Sequence, residues 1–485
     1  ENIARQADAI VADVNGNEHE VQPDTLVSMN MIAFRPSVFS RLRREFTKFL
    51  QTSANDVHAE FQIPDVLNQV VTEQQVRVRV LPTTSRWFGM THSEDRNVVA
   101  TNLQQLVALG EYPSLLWQAM PASTDQLESA FRHFSTGAGP SDSCVFTSVP
   151  AGHIHDTWQV QCGVGGEAYL LQRVNHEIFP NVVQLMDNIQ VVTSHLHGRT
   201  NTLCYSRTAD GQYFHQDKKG DYWRLCQYID NVPVTEGRCT SELAAEAGRT
   251  FGEFATHLHE LSPDLLAETI PRFHRLSWRL EQFDQAQRND LMSRADTVRP
   301  EIELISSLRD EMLELEELWD TGQLPQRVTH NDTKLTNILF DRHLKAVCVI
   351  DLDTVMPGLV HFDFGDALRT IANSADEDAE DVSDVSLDRE LATAFTRGYL
   401  GACSGLLTPT ELKTLWRGPG YMTYLMALRF LTDVLVGDRY YKIKFQQHNL
   451  VRARAQFALL RDIRRNTSFL QETIINVCPG PGHAT

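Results

Sequence analysis

Apolar and polar positions along the chain fall into three regimes. Over residues 1–120 strand-like and helix-like stretches are mixed. Ala9-Ile-Val-Ala-Asp-Val followed by Asn15-Gly16 predicts a hairpin with a tight primed turn. Leu26 to Met31 reads as a strand and a helix begins at Pro36, with Ser37 near its start. Strict alternation over Gln75 to Val80 predicts another strand, and the pattern from Glu94 to Leu109 predicts a helix closed by Gly110. The turn-rich stretch Ser135 to Ser143 lies near a domain boundary.

Short strands are then predicted around Cys144–Val149, Asp156–Cys162, Ala168–Val174, Thr202–Arg207 and Tyr222–Ile229, with one helix over Phe179–Leu196. From Glu242 onward the periodicity is helical, broken only by a strand-rich insert at 326–354. The expectation is an α/β (α+β) chain in three parts. These are a small α/β module at 1–120, a β-rich small lobe at 121–235 and a helical large lobe at 236–485, the last two forming a bilobal kinase plan.

Composition narrows the function without naming it. With 44 basic and 63 acidic residues the formal charge is −19, which argues against nucleic acid or an anionic membrane as partner. No apolar run reaches the roughly 18 residues of a membrane span. The eight cysteines (144, 162, 204, 226, 239, 348, 403 and 478) form no Cys-x-x-Cys pair, so reduced thiols in a cytoplasmic protein are expected.

The chemistry concentrates in His330-Asn331-Asp332-Thr333-Lys334-Leu335-Thr336-Asn337, which has the His-x-Asp-x4-Asn spacing of a kinase catalytic loop. Phosphoryl transfer needs a carboxylate to orient the attacking hydroxyl and take its proton, the role expected of Asp332. Lys334 is placed to reach the transferring group. Magnesium beside ATP needs oxygen ligands, expected from Asn337 and from Asp351, where the strand Ala346–Ile350 ends. Asp353 is a second metal ligand or a substrate contact. Of Asp363 and Asp366, one is expected to brace the loop. In the small lobe Gly152-His153-Ile154-His155-Asp156-Thr157 stands where a loop covers phosphates. No lysine occupies Tyr169-Leu-Leu-Gln172-Arg173, so Gln172 or Arg173 takes its place, and Gln227, Tyr228 and Ile229 fall at the hinge that meets adenine.

Residues 131–475 resemble the aminoglycoside-phosphotransferase-like kinases, and among them the N-acetylhexosamine 1-kinases. The similar stretches include Gly152-His-Ile with Thr157, Arg327 through Leu339, Ile350-Asp-Leu-Asp-Thr-Val-Met-Pro-Gly, Phe362-Asp-Phe-Gly-Asp, Arg429-Phe-Leu and Tyr440. The resemblance implies transfer from ATP, with Mg2+, to the anomeric hydroxyl of a small-molecule sugar, N-acetylglucosamine or N-acetylgalactosamine. It makes Asp332 the base, puts Asn337 and Asp351 on magnesium, and makes His153, Asp353, Arg429 and Tyr440 sugar-pocket residues. For Arg429 the competing expectation is a salt bridge on the helix Tyr421–Leu435. Residues 1–120 resemble the C-terminal half of a sugar-phosphate nucleotidyltransferase, through Ser28-Met-Asn-Met, His58 to Pro64 and Ser85 to Thr91, with Asn30 and Glu60 at sugar-phosphate and metal positions. A nucleotidyltransferase portion or partner is therefore implied, or equally a docking or stabilising module. Two alternatives stand beside this reading: a kinase of the same fold acting on another small alcohol or an aminoglycoside, and a silent pseudokinase serving as a scaffold.

Overall fold

The computed structural model describes residues 2–6, 9–14, 17–21, 38–53, 59, 61–72, 79, 95–108, 122–136, 144–149, 154–163, 166–234, 239–290 and 292–478. They form two units, Glu1–Met120 and Pro121–Thr485.

In the first unit β1 (Asn2–Gln6), β2 (Ala9–Val14) and β3 (Asn17–Val21) make an antiparallel meander, with Gln6 opposite Ala9 and Val14 opposite Asn17. Three helices follow: α1 (Val38–Ser53), α2 (Ile63–Thr72) and α3 (Asp95–Ala108). On α1 the rings of Phe46 and Phe49 meet Phe61 at 5.2 and 5.5 Å. The Asn15-Gly16 turn, the strand expected at Leu26–Met31, that at Gln75–Val80 (Arg79 apart), Gly110, Asn30 and Glu60 lie outside the described residues.

The second unit opens with α4 (Thr124–Phe131), capped by Ser123. A five-stranded antiparallel sheet follows in the order β4-β5-β6-β8-β7: β4 (Cys144–Ser148), β5 (Asp156–Cys162), β6 (Ala168–Val174), β7 (His215–Gln216) and β8 (Tyr222–Gln227). Strand side chains alternate between faces. Trp158, Val160, Tyr169, Leu171, Trp223 and Leu225 therefore share one face and pack with Leu127 and Phe131 of α4. The opposite face carries Thr157, Gln172 and Arg224, brought side by side by the pairings Thr157↔Gln172 and Gln172↔Arg224. The strand expected at Thr202–Arg207 does not form. β7 takes the Tyr222 end of the β8 edge, which leaves room there for one bridge, Tyr205↔Cys226. The helix read from Phe179 begins three residues later, as α5 (Val182–Leu196), because Asn181 caps it by accepting from the Gln184 amide.

Two cysteines depart from the reduced state expected of all eight. Cys144 and Cys162 are register partners on β4 and β5 and are joined as a disulfide, leaving six free thiols. It closes a loop across a separation of 18 residues, worth about 3 kcal/mol by the loop-entropy argument. Thiol titration of the denatured, unreduced protein is expected to count six sulfhydryls. Cys144→Ser then lowers the melting temperature, and in the variant added reductant causes no further fall.

The large lobe begins with α6 (Ser241–Leu258), α7 (Leu276–Asn289) and α8 (Arg299–Asp320). Two small hairpins come next. β9 (Arg327–Thr329) pairs with β12 (Met356–Gly358), and β10 (Ile338–Phe340) with β11 (Ala346–Val349). The insert thus runs to Gly358, past the expected Thr354. Five helices close the chain after α9 (Val360–Ile371): α10 (Arg389–Cys403), α11 (Pro409–Thr414), α12 (Arg417–Val436), α13 (His448–Arg465) and α14 (Thr467–Val477). One core unites α5, α6, β10, β11, α9 and α10, and a second unites α7, α8, α12 and α13. Where α9 crosses α12, Gly365 and Gly418 let the backbones touch. A Cβ on Gly365 would lie 2.3 Å from the Gly418 carbonyl oxygen, and one on Gly418 would lie 2.4 Å from that of His361. This crossing fixes the start of α9 beneath the loop between β9 and β10. Among the described residues no helix is long and apolar enough to cross a membrane.

Candidate active site

The β9–β10 connection carries His330 to Asn337, and its shape is set from below. Asp363, in the first turn of α9, accepts from the His330 amide at 2.9 Å and the Asn331 amide at 2.7 Å. Its carbonyl accepts from the Thr333 hydroxyl at 2.6 Å. Asp363 is therefore the brace, while Asp366 pairs with Arg369 at 2.8 Å. His330 is wholly buried, its ring against Phe251 and Phe254 and its Nε2 donating to the Ile350 carbonyl at 2.9 Å. It ties the loop to β11 and takes no part at the surface. Asn331 has a left-handed backbone (φ 64°), a conformation that asparagine tolerates better than most residues. Its Nδ2 donates to the Thr354 carbonyl, and its own carbonyl accepts from His274 Nε2, both at 2.9 Å. Burial holds His274 down to about 3, so its ring is neutral.

This scaffold holds Asp332 half-buried, its side chain 25% exposed. Its Oδ1 lies 2.9 Å from Lys334 Nζ, and its Oδ2 accepts from Asn337 Nδ2 at 2.9 Å. Burial opposes ionisation, but the Lys334 ammonium and these hydrogen bonds outweigh it and hold the carboxyl at about 2. Because Asn337 spends its amide nitrogen on Asp332, its Oδ1 is left as an open acceptor among the described residues. Asp351 follows β11 in a left-handed conformation (φ 58°), and its carboxylate makes no hydrogen bond or ion pair among the described residues. Burial, with Asp353 and Asp332 nearby, pushes it up to about 6.

Asp353 stands differently from what was expected of it. Arg224 grips both its oxygens at 2.5 and 2.8 Å, and His155 Nε2 reaches Oδ2 at 2.5 Å. Its side chain is 2% exposed. Arg224 and His155 outweigh burial and hold it far below the usual carboxylate range. With three donors on its two oxygens, Asp353 stands as a clamp between β8 and the turn after β11, unlike the open carboxylate of Asp351. Neither Arg224 nor His155 was foreseen. The available signal was an arginine in the middle of an otherwise apolar strand, Tyr222-Trp-Arg-Leu-Cys.

Arg173 is corrected in the same way. Alternation on β6 turns it to the α4 side, where it pairs with Asp156 at 2.6 Å and lies over the Trp223 ring. Gln172 faces the site, donating to Thr157 Oγ1 at 3.1 Å and accepting from Arg224 Nε at 2.9 Å. Of the hinge residues, the Gln227 and Tyr228 amides are already bonded to the Cys204 and Ala168 carbonyls, and only the Ile229 amide is unengaged among the described residues. His153 lies outside the described residues. Arg429 has no salt bridge among them. It sits 5.2 Å from the Phe273 ring and donates to the Tyr440 hydroxyl at 3.3 Å.

The brace invites a direct test. Asparagine at 363 must turn its NH2 toward one of the two loop amides, leaving a buried donor unsatisfied at a cost of about 1–3 kcal/mol. Burial lifts the Asp363 carboxyl to about 6, above its unfolded value of about 3.9. Its contribution to stability is therefore full below the unfolded value and lost as pH rises through about 6. Asp363→Asn is expected to destabilise the protein in urea at neutral pH, to flatten its stability profile between about pH 4 and 6, and to cut turnover at least tenfold.

The family model described as the phosphotransferase enzyme family (APH) matches residues 145–403. Solved structures with similar folds include an aminoglycoside phosphotransferase from Alicyclobacillus acidocaldarius, 13% identical, covering 73% of this chain and 99% of its own at a TM-score of 0.48. A microcompartment-associated aminopropanol kinase is 14% identical, covering 72% and 99% at 0.48. A choline kinase from Cryptosporidium parvum is 12% identical, covering 69% and 94% at 0.47. The family match spans more than half of the chain, from the first strand of the sheet through the β9–β10 connection to α10, and on that ground the chain belongs to the phosphotransferase enzyme family.

Proposed function

We propose that the chain transfers the γ-phosphoryl group of ATP to the anomeric hydroxyl of an N-acetylhexosamine. The observation that carries the reading is Asp332, kept ionised by Lys334 and Asn337 at the tip of a braced loop. A carboxylate at about 2 is a weak base. Its work is to orient the sugar hydroxyl and take the proton late, as the bond to phosphorus forms. As Lys334 swings toward the transferring phosphoryl group, Asp332 loses its counter-charge and becomes more basic at the moment the proton must move. Thr157 and Gln172 line the inner face of the sheet for the phosphates, and the Ile229 amide offers the adenine a donor.

A divalent cation fits this donor set. Asp351 is a half-buried carboxylate without a partner among the described residues, and Asn337 Oδ1 is an open oxygen acceptor. Among the described residues no three acidic, histidine or cysteine groups form a metal cage. That suits magnesium, which takes one or two protein ligands and leaves the rest to phosphates and water. When bound, the ion neutralises charge on the triphosphate. The sugar is favoured by the likeness around Val355–Gly358 and by Arg429 and Tyr440, which offer hydrogen bonds to hydroxyl groups.

The test is ADP release measured with N-acetylglucosamine, N-acetylgalactosamine, choline and an aminoglycoside in parallel. Release is expected with the N-acetylhexosamines alone. Release with choline or the aminoglycoside, and none with the sugars, removes the sugar reading.

A further inference from the structure

The segment leading into α7 brings two guanidinium groups to one residue. Arg279 donates to the Phe273 carbonyl at 3.3 and 3.4 Å and to Gln282 Oε1 at 3.0 Å, and Arg429 lies over the Phe273 ring at 5.2 Å. Neither has a carboxylate partner among the described residues. The next residue, His274, bonds the carbonyl of Asn331, so the pair sits one residue from Asp332 along the loop. Arg429 also reaches the Met426 sulfur at 3.6 Å, and the Asp433 carboxylate close by is taken up by the Tyr440 and Tyr441 amides. Tyr440 bonds Arg429, while the Tyr441 hydroxyl is shut off from solvent and has no partner among the described residues. The Tyr441 ring lies 5.5 Å from Arg429. Two half-buried cations without counter-charges are unfavourable unless a ligand supplies acceptors. In keeping with this, burial and the Arg429 charge hold Arg279 down to about 10.

We propose that Arg279, Arg429 and the Tyr441 hydroxyl form a cationic, donor-rich subsite that receives an anionic or acceptor-rich substituent of the ligand and repels protonated amines. The assignment to acceptor selection rests on the reading of Asp332 given above. It adds Arg279 and Tyr441 to the residues that set specificity, and it defines the acceptor as a neutral or acidic sugar, not an amine. The two oxygens of a carboxylate can accept from all three residues and the single oxygen of an N-acetyl carbonyl from two of them, whereas an ammonium group meets two like charges in a medium of low dielectric.

Two measurements on the full chain separate this subsite from the proposed reaction. In the first, inorganic sulfate is titrated calorimetrically into the MgADP complex. The wild type is expected to bind it, Arg279→Gln to bind about tenfold more weakly, and Arg279→Lys, which keeps the charge, to bind like wild type. Equal sulfate binding in wild type and Arg279→Gln, or none in wild type, overturns the subsite whatever the sugars do. In the second, kcat/KM is compared for N-acetylglucosamine and for glucosamine at a pH where its amine is protonated. The ratio favouring the N-acetyl sugar is expected to fall about tenfold in Arg279→Gln and to be kept in Arg279→Lys. An unchanged ratio overturns the selectivity claim. Absence of turnover with either sugar, alongside the expected sulfate result, refutes the reaction while the subsite stands.

Discussion

Asp332→Asn is expected to lower kcat by about three orders of magnitude while MgATP binds with little change. The amide cannot accept the hydroxyl proton, and positioned proton transfer contributes typically 10²–10⁴-fold. The substitution spares Asn337 Oδ1 and Asp351, so the expected cation site is intact. It also frees Lys334, which in the wild type lies 2.9 Å from the carboxylate. A freed ammonium is drawn to the triphosphate, so nucleotide affinity holds or rises. Single-turnover kinetics together with a nucleotide titration measure both quantities. A fall in kcat of less than tenfold would show that the proton leaves by another route. A matching loss of MgATP affinity would move Asp332 from the chemistry to the nucleotide site.

Arg224→Met is expected to destabilise the second unit by about 3–5 kcal/mol, because it strands a buried carboxylate. Asp353 is 2% exposed and Arg224 3%, with two short N–O contacts between them, so neither charge has water to fall back on. His155 is the one partner the Asp353 carboxylate would retain among the described residues. The clamp also sets the inner face of the sheet, since Arg224 Nε orients Gln172 and through it Thr157. A variant that remains folded is therefore expected to show a raised KM for ATP. Replacing both partners, as Arg224→Met with Asp353→Leu, removes the stranded charge and should recover most of the lost stability, as apolar replacements of buried pairs often do. A double variant as unstable as the single one would show that the cost comes from packing.

What could be read from the chain alone follows a physical divide. The spacing of the loop from His330 to Asn337 and the carboxylate that ends β11 were visible because their pattern is local: a fixed spacing of acceptor types, then an apolar strand ending in a carboxylate. Strands β5 and β6 were legible from alternation, and so in retrospect was the fate of Arg173, which shares its parity with the buried Tyr169 and Leu171. Residues whose roles depend on distant partners were not. Arg224 and Asp353 are 129 positions apart, and nothing near Asp353 signals that its oxygens are occupied. The choice between Asp363 and Asp366 needed the crossing of α9 and α12, which rests on two glycines. The Cys144–Cys162 link needed strand register, which spacing does not state. Thr202–Arg207 has strand composition, but β7 takes part of the edge that it would fill.

The measurement that bears most directly on the central claim is phosphorus NMR of the protein incubated with MgATP and either N-acetylglucosamine or N-acetylgalactosamine. A new phosphomonoester resonance coupled to the anomeric proton, appearing as ATP is converted to ADP, is the predicted result. A phosphate ester on another hydroxyl, or ATP left intact beside both sugars, would contradict it.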